Sequence, residues 1–144
     1  MIRTEGPVVS AVPEAPGLPT RGHASPVAMR LLDAIVRCDR AALAAVLAPD
    51  VWFRALIVHD SVEQHTAAAA IETIVGWFAN ARALHVVRAD TYPIASREHI
   101  SYRLLLRPDW APDTWHLIEQ SGYIRVHRER VRRIDLGCTG FVPQ

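Results

Sequence analysis

From residue 83 onward the chain reads as strand after strand: "ALHVVRADTY", "HISYRLLLR", "TWHLIEQSGYIRVH" and "VRRIDLGCTGF" alternate or run apolar at strand length. Short polar or proline-bearing stretches, "PIASRE", "PDWAPD" and "RER", separate them. Only one further strand, "VWFRALIV", stands earlier, rich in β-branched and aromatic residues. Helices first and a run of adjacent strands afterwards is the α+β order. It predicts helices held in a strongly curved antiparallel or mixed sheet, a cone of the cystatin-like α+β roll kind. A long helix laid across such a sheet leaves a central pocket at its mouth.

The helical half has clear punctuation. In "SPVAMRLLDAIVRCD" Ser25 is a good N-cap and Pro26 takes the first helical position. Ala28, Leu31, Leu32 and Ile35 follow at i, i+3, i+4 and i+7, one apolar stripe. Asp39 caps a shorter helix through "RAALAAVLA", which Pro49-Asp50 stops. A longer helix runs to Asn80 from either Ser61, where "SVEQ" has the form of a capping box, or Thr66. Ile71, Ile74, Val75 and Phe78 form its core face.

The first 26 residues hold five of the ten prolines, at 7, 13, 16, 19 and 26. Proline at that density neither pairs into a ladder nor continues a helix, so residues 1–24 read as a disordered tail and 25–144 as one domain. Half of the 144 residues are apolar, enough for one sizeable core. A formal charge of +1 gives no reason to expect nucleic acid. All 16 basic residues are arginine, which removes a lysine Schiff base from the chemical options. Cys38 and Cys138 stand far apart and read as reduced thiols of a cytoplasmic protein. There is no apolar run of membrane-spanning length and no signal-peptide layout, so no membrane association is expected.

The order of elements resembles the nuclear-transport-factor-2-like superfamily, in particular its SnoaL-like proteins (polyketide cyclases and relatives of ketosteroid isomerase). "LLDAIVRCDRAALAAVLAPDV" looks like the family's paired opening helices, and "EQSGYIRVHRERVRRIDLGCTGF" like its closing hairpin. The resemblance covers residues 26–143. It implies a cofactor-independent enzyme that cyclises, isomerises or opens an epoxide in a small apolar, polyketide-like metabolite. It also implies a homodimer formed through the outer sheet face; the alternative is a non-catalytic binding or dimerisation module of the same fold. The family's acid–base positions carry no such group in this chain. The tyrosine position of ketosteroid isomerase falls on Leu31, its base near Ala55 and its oxyanion aspartate near Gly122. The last-strand aspartate of the cyclases and epoxide hydrolases falls near Leu136, or on Asp135 after a slip that also reverses the face.

Strand parity sorts what remains polar. If Gly122 faces the cavity, then His116, Ile118, Gln120 and Ile124 share its face, because side chains two apart point the same way. His116 is the candidate acid–base group, its ordinary pKa lying near neutrality. Gln120 would orient a carbonyl or hydroxyl; a bulge would bring in Glu119 instead. Tyr102 shares a face with Ile100, Leu104 and Leu106 and offers a phenol to a substrate oxygen. Trp52, Phe53 and Trp77 are candidate stacking surfaces for a flat ligand. There is no HxH, HExxH, CxxC, glycine-rich phosphate loop or GxSxG elbow, so no metal or other cofactor is expected. The cluster Arg125, Arg128, Arg130, Arg132 and Arg133 reads as a solvated turn.

Overall fold

A computed structural model describes residues 25–144; the reading of residues 1–24 as a tail lies outside them. Helices α1 (Pro26–Val36) and α2 (Arg40–Val46) open the described chain. Strands β1 (Leu47–Ile57) and β2 (Asp60–Gln64), helix α3 (Ala67–Phe78) and strands β3 (Ala83–Ile94), β4 (Arg97–Arg107), β5 (His116–His127), β6 (Arg130–Cys138) and β7 (Val142–Pro143) follow. The strands form one sheet in the order β2-β1-β6-β5-β4-β3, with β7 beside the start of β5. Neighbours are antiparallel except β1 and β6, which run parallel. The result is a curled, unclosed sheet around the helices, the α+β cone expected from the order of elements.

The caps act as their residue types require. Ser25 Oγ accepts from the Ala28 N–H at 3.1 Å and donates to Glu98 Oε2 at 3.0 Å, tying the start of α1 to β4. Asp39 Oδ1 accepts from the Ala42 N–H at 3.0 Å. Thr66 Oγ1 accepts from the Ala69 N–H at 3.2 Å, so Thr66 and not Ser61 starts the long helix. The predicted stripes, Leu31, Leu32 and Ile35 on α1 and Ile71, Ile74, Val75 and Phe78 on α3, are all buried. They meet the inner face of the sheet through Phe53, Ala55, Leu104, Leu106, Ile118, Ile134 and Leu136.

Two local readings are corrected. "SVEQ" belongs to β2, which pairs with β1 across a two-residue turn containing His59 at φ +64°. The first strand also begins at Leu47, not Val51: the helix ends before Pro49 because the residues ahead of a proline avoid helical geometry. Pro49 lacks the N–H a ladder needs and lies in the irregular stretch where the β1–β6 register shifts, between Leu47 and Trp52. No helix among the described residues is long and apolar enough to cross a membrane.

Candidate functional site

Strand β5 alternates without interruption from His116 to Gln120, so His116, Ile118 and Gln120 are buried, and Ile124 further along shares their face. Gln120 is paired across β4 with Tyr102, and both are buried to within 1% of full enclosure. The Tyr102 hydroxyl donates to Gln120 Oε1. Gln120 Nε2 is enclosed and has no hydrogen-bond partner among the described residues. Burial, with Cys138 nearby adding to it, pushes the Tyr102 phenol far above its ordinary pKa. The pair is thus a neutral, partly unspent hydrogen-bonding device in an apolar wall.

His116 is 3% exposed, and its Nδ1 lies 3.0 Å from the Thr114 carbonyl oxygen. A carbonyl only accepts, so Nδ1 carries the proton and Nε2 is left as the acceptor nitrogen in the neutral ring. Trp110 covers the ring edge to face, at 4.9 Å between centroids and 65°. Beyond Trp110 a mouth cavity of about 190 Å³ opens between the end of α3, the end of β4 and the C-terminal segment. Trp77, Asn80, Leu106, Asp109, Trp110 and Phe141 line it. Three residues, and so four strand steps, separate His116 from Gln120, about 13 Å at 3.3 Å a step. The polar groups therefore define two stations, a mouth and an inner end, with Ile118 between them.

The other sequence candidates divide by face. Leu31, Phe53, Ile118 and Leu136 are buried in the interior, and Trp77 reaches Phe53 at 5.9 Å between ring centroids. Glu119 points to the outer face, where Arg103 Nη2 holds it at 2.9 Å beside a second cleft formed with Arg88, His99 and two serines. The bulge that would carry Glu119 inward is absent from the β4–β5 register. Asp135 is also outside, paired with Arg133 at 2.7 Å and Arg54 at 3.0 Å, while Leu136 takes the inward position. Trp52 is 40% exposed, with the Arg133 guanidinium 4.4 Å from its ring centroid. Gly122 lies on the inner parity but lines nothing, because the Asp135 backbone fills the space a side chain would take. Glu119, Asp135, Trp52 and Gly122 thus stand apart from the interior stations. Among the described residues no group of three His, Cys, Asp or Glu side chains is gathered as metal ligands.

Asp135 makes a testable structural element. Partial burial raises its pKa, but the hydrogen bond and charge of Arg133, then the charge of Arg54, outweigh this and hold it below the ordinary value. A depressed folded-state pKa contributes stability that is present above the unfolded pKa and fades as pH falls through the folded one. Asp135→Asn is expected to cost about 1 kcal/mol at neutral pH. Urea titrations of both proteins should converge as pH drops below the carboxylate range; an equal gap at pH 7 and pH 3 would contradict the pairing.

Sequence reasoning treated "PDWAPD" only as a separator and gave no role to Asn80 or Phe141. Trp110, between Pro108 and Pro112, was the one available signal: a large aromatic in an otherwise polar, proline-flanked connection.

The sequence matches no protein-family model, and no curated protein matches it. Solved structures do match its fold. A protein of ketosteroid isomerase-like fold from Catenulispora acidiphila is 13% identical, with a TM-score of 0.64 over 79% of this chain and 85% of its own. A protein from Jannaschia sp. CCS1 assigned to the SnoaL-like polyketide cyclases is 16% identical, with a TM-score of 0.62 over 82% and 91% of the two chains. An epoxide hydrolase of the LEH-like type from M. tuberculosis is 11% identical, with a TM-score of 0.57 over 78% and 79%. The fold is therefore the α+β cone that these solved structures share.

Proposed function

We propose that the chain is a cofactor-independent acid–base enzyme acting on a small, largely apolar metabolite of polyketide type, by cyclisation, isomerisation or epoxide opening. The observation that carries this reading is the setting of His116. Its Nδ1 lies 3.0 Å from the Thr114 carbonyl, which leaves Nε2 as the acceptor of a neutral ring, and Trp110, which lines the mouth cavity, covers that ring. Such a ring takes a proton from a substrate and returns it to a developing hydroxyl. Gln120 Nε2, polarised through its amide by the Tyr102 hydroxyl, is the donor for a carbonyl, enolate or epoxide oxygen at the inner end. The two groups lie about 13 Å apart along β5 with Ile118 between them. Leu31, Phe53 and Leu136 belong to the same packed core, which a substrate reaching both groups would have to open.

The test is turnover on a panel of small epoxides and β-keto compounds. His116→Phe is expected to lower kcat by about 10²–10⁴-fold with an unchanged circular dichroism spectrum. Turnover that survives the substitution would remove His116 from the mechanism.

A non-catalytic binding or dimerisation module is the second reading. What favours it is the closure of the interior around Tyr102 and Gln120, together with the outward placement of Glu119 and Asp135. Saturable binding of the same compounds without turnover would decide for it. Under either reading a homodimer through the outer sheet face is proposed, since that face carries Trp52, Leu56 and Tyr123 at 40–61% exposure.

A further inference from the structure

We infer that the mouth cavity takes the ammonium head of a small organic cation. The inference rests on the reading above that a ligand meets the protein at the mouth, and it names the chemistry of the ligand's outer end. Three aromatic rings from three separate segments bound the cavity: Trp77 from α3, Trp110 from the loop after β4 and Phe141 from the C-terminal segment. Trp110 and Phe141 stand at 86° with centroids 6.0 Å apart, so they present ring surface from two directions. Ring faces carry negative potential and attract a cation, tryptophan most strongly.

The remaining polar groups have the matching sign. Asp109, the one charged residue of the lining, is acidic, and Asn80 offers an amide that can accept as well as donate. No arginine lines the cavity among the described residues, in a chain with 16 of them. Two arginines adjoin lining residues in sequence: Arg82, which is exposed, follows Ala81, and Arg107 follows inward-facing Leu106 on β4 and so turns to the outer face. There its guanidinium lies 5.1 Å from the centroid of Trp115. A purely apolar guest would leave Asp109 unused and gain nothing from the missing arginines, and an anionic guest would be repelled. A volume of about 190 Å³ suits a compact alkylammonium group with the apolar body directed past Trp110 toward His116.

The experiment is an NMR titration of the full chain that follows the four tryptophan indole N–H signals, with choline as the cation and 3,3-dimethylbutan-1-ol as its uncharged isostere. Choline is expected to shift Trp77 and Trp110 and leave Trp52 and Trp115 in place, binding about tenfold more tightly than the alcohol. Asp109→Asn should weaken choline about threefold and leave the alcohol unchanged. Trp110→Leu, at an exposed position that folding tolerates, should remove the selectivity. Equal affinity for the two molecules, or shifts confined to Trp52 and Trp115, would overturn the inference. Equal affinity alongside turnover that still depends on His116 would sink the cation and keep the enzyme. Choline selectivity without such turnover would do the reverse.

Discussion

Gly122→Ala is expected to destabilise the protein by about 3 kcal/mol or more, or to prevent folding. An added Cβ would lie 1.8 Å from the Asp135 carbonyl oxygen, 2.8 Å from its carbonyl carbon and 2.9 Å from the Leu136 Cα. All three are backbone atoms, so no side-chain rotation relieves the clash. Strands β5 and β6 would have to separate where Ser121, Gly122 and Tyr123 face Gly137, Leu136 and Asp135. Gly137 is the internal control: its added Cβ would find only the Ser121 carbonyl oxygen, at 3.9 Å, an ordinary contact. Gly137→Ala should stay within about 0.5 kcal/mol of the parent. Urea midpoints of the two variants test this directly. Equal midpoints would mean that β5 and β6 do not approach as described.

The second large effect concerns Tyr102 and Gln120. Tyr102→Phe strands both ends of a buried amide, and Gln120→Leu strands a buried hydroxyl. Each should cost about 1–3 kcal/mol, the penalty of an unsatisfied enclosed polar group. Combining them removes every polar atom of the pair, including the unpartnered Nε2. The double variant is expected to be at least as stable as the better single variant, with a coupling energy of about 1–3 kcal/mol. Additive losses would show that the two groups share no hydrogen bond. If the pair also receives the substrate oxygen, stability returns in the double variant while turnover does not. A double variant that keeps parental turnover would remove the inner station from the proposed function.

How far the site was legible follows from where the backbone is regular. Parity reasoning from Gly122 placed His116, Ile118, Gln120 and Ile124 on one face because β5 keeps a strict period of two until the register with β6 shifts between Arg125 and Val126. Glu119 was readable as an arginine partner for the same reason. The choice between Asp135 and Leu136 was not, since parity on β6 depends on its pairing with β5, a tertiary fact. Strand β2 escaped notice because an exposed five-residue edge strand has no buried alternation, while "SVEQ" carries a strong helix-start signature. The mouth was the least legible part. Its rings come from positions 77, 110 and 141, brought together only when β7 folds back against the start of β5.

The parallel pairing of β1 with β6 has a consequence for synthesis and folding. Phe53 finds Ile134 and Ala55 finds Leu136, partners about eighty positions further along the chain. Contacts that distant close a long loop before they return any stability, and they are slow to form. During translation α1, α2 and the β1–β2 hairpin emerge with their apolar faces uncovered, about eighty positions ahead of the strand that completes β1. Until β6 is made, the nascent chain carries an open β1 edge beside uncovered apolar side chains. The order of the strands thus leaves β1 with β2 as its one neighbour among the described strands until β6 arrives.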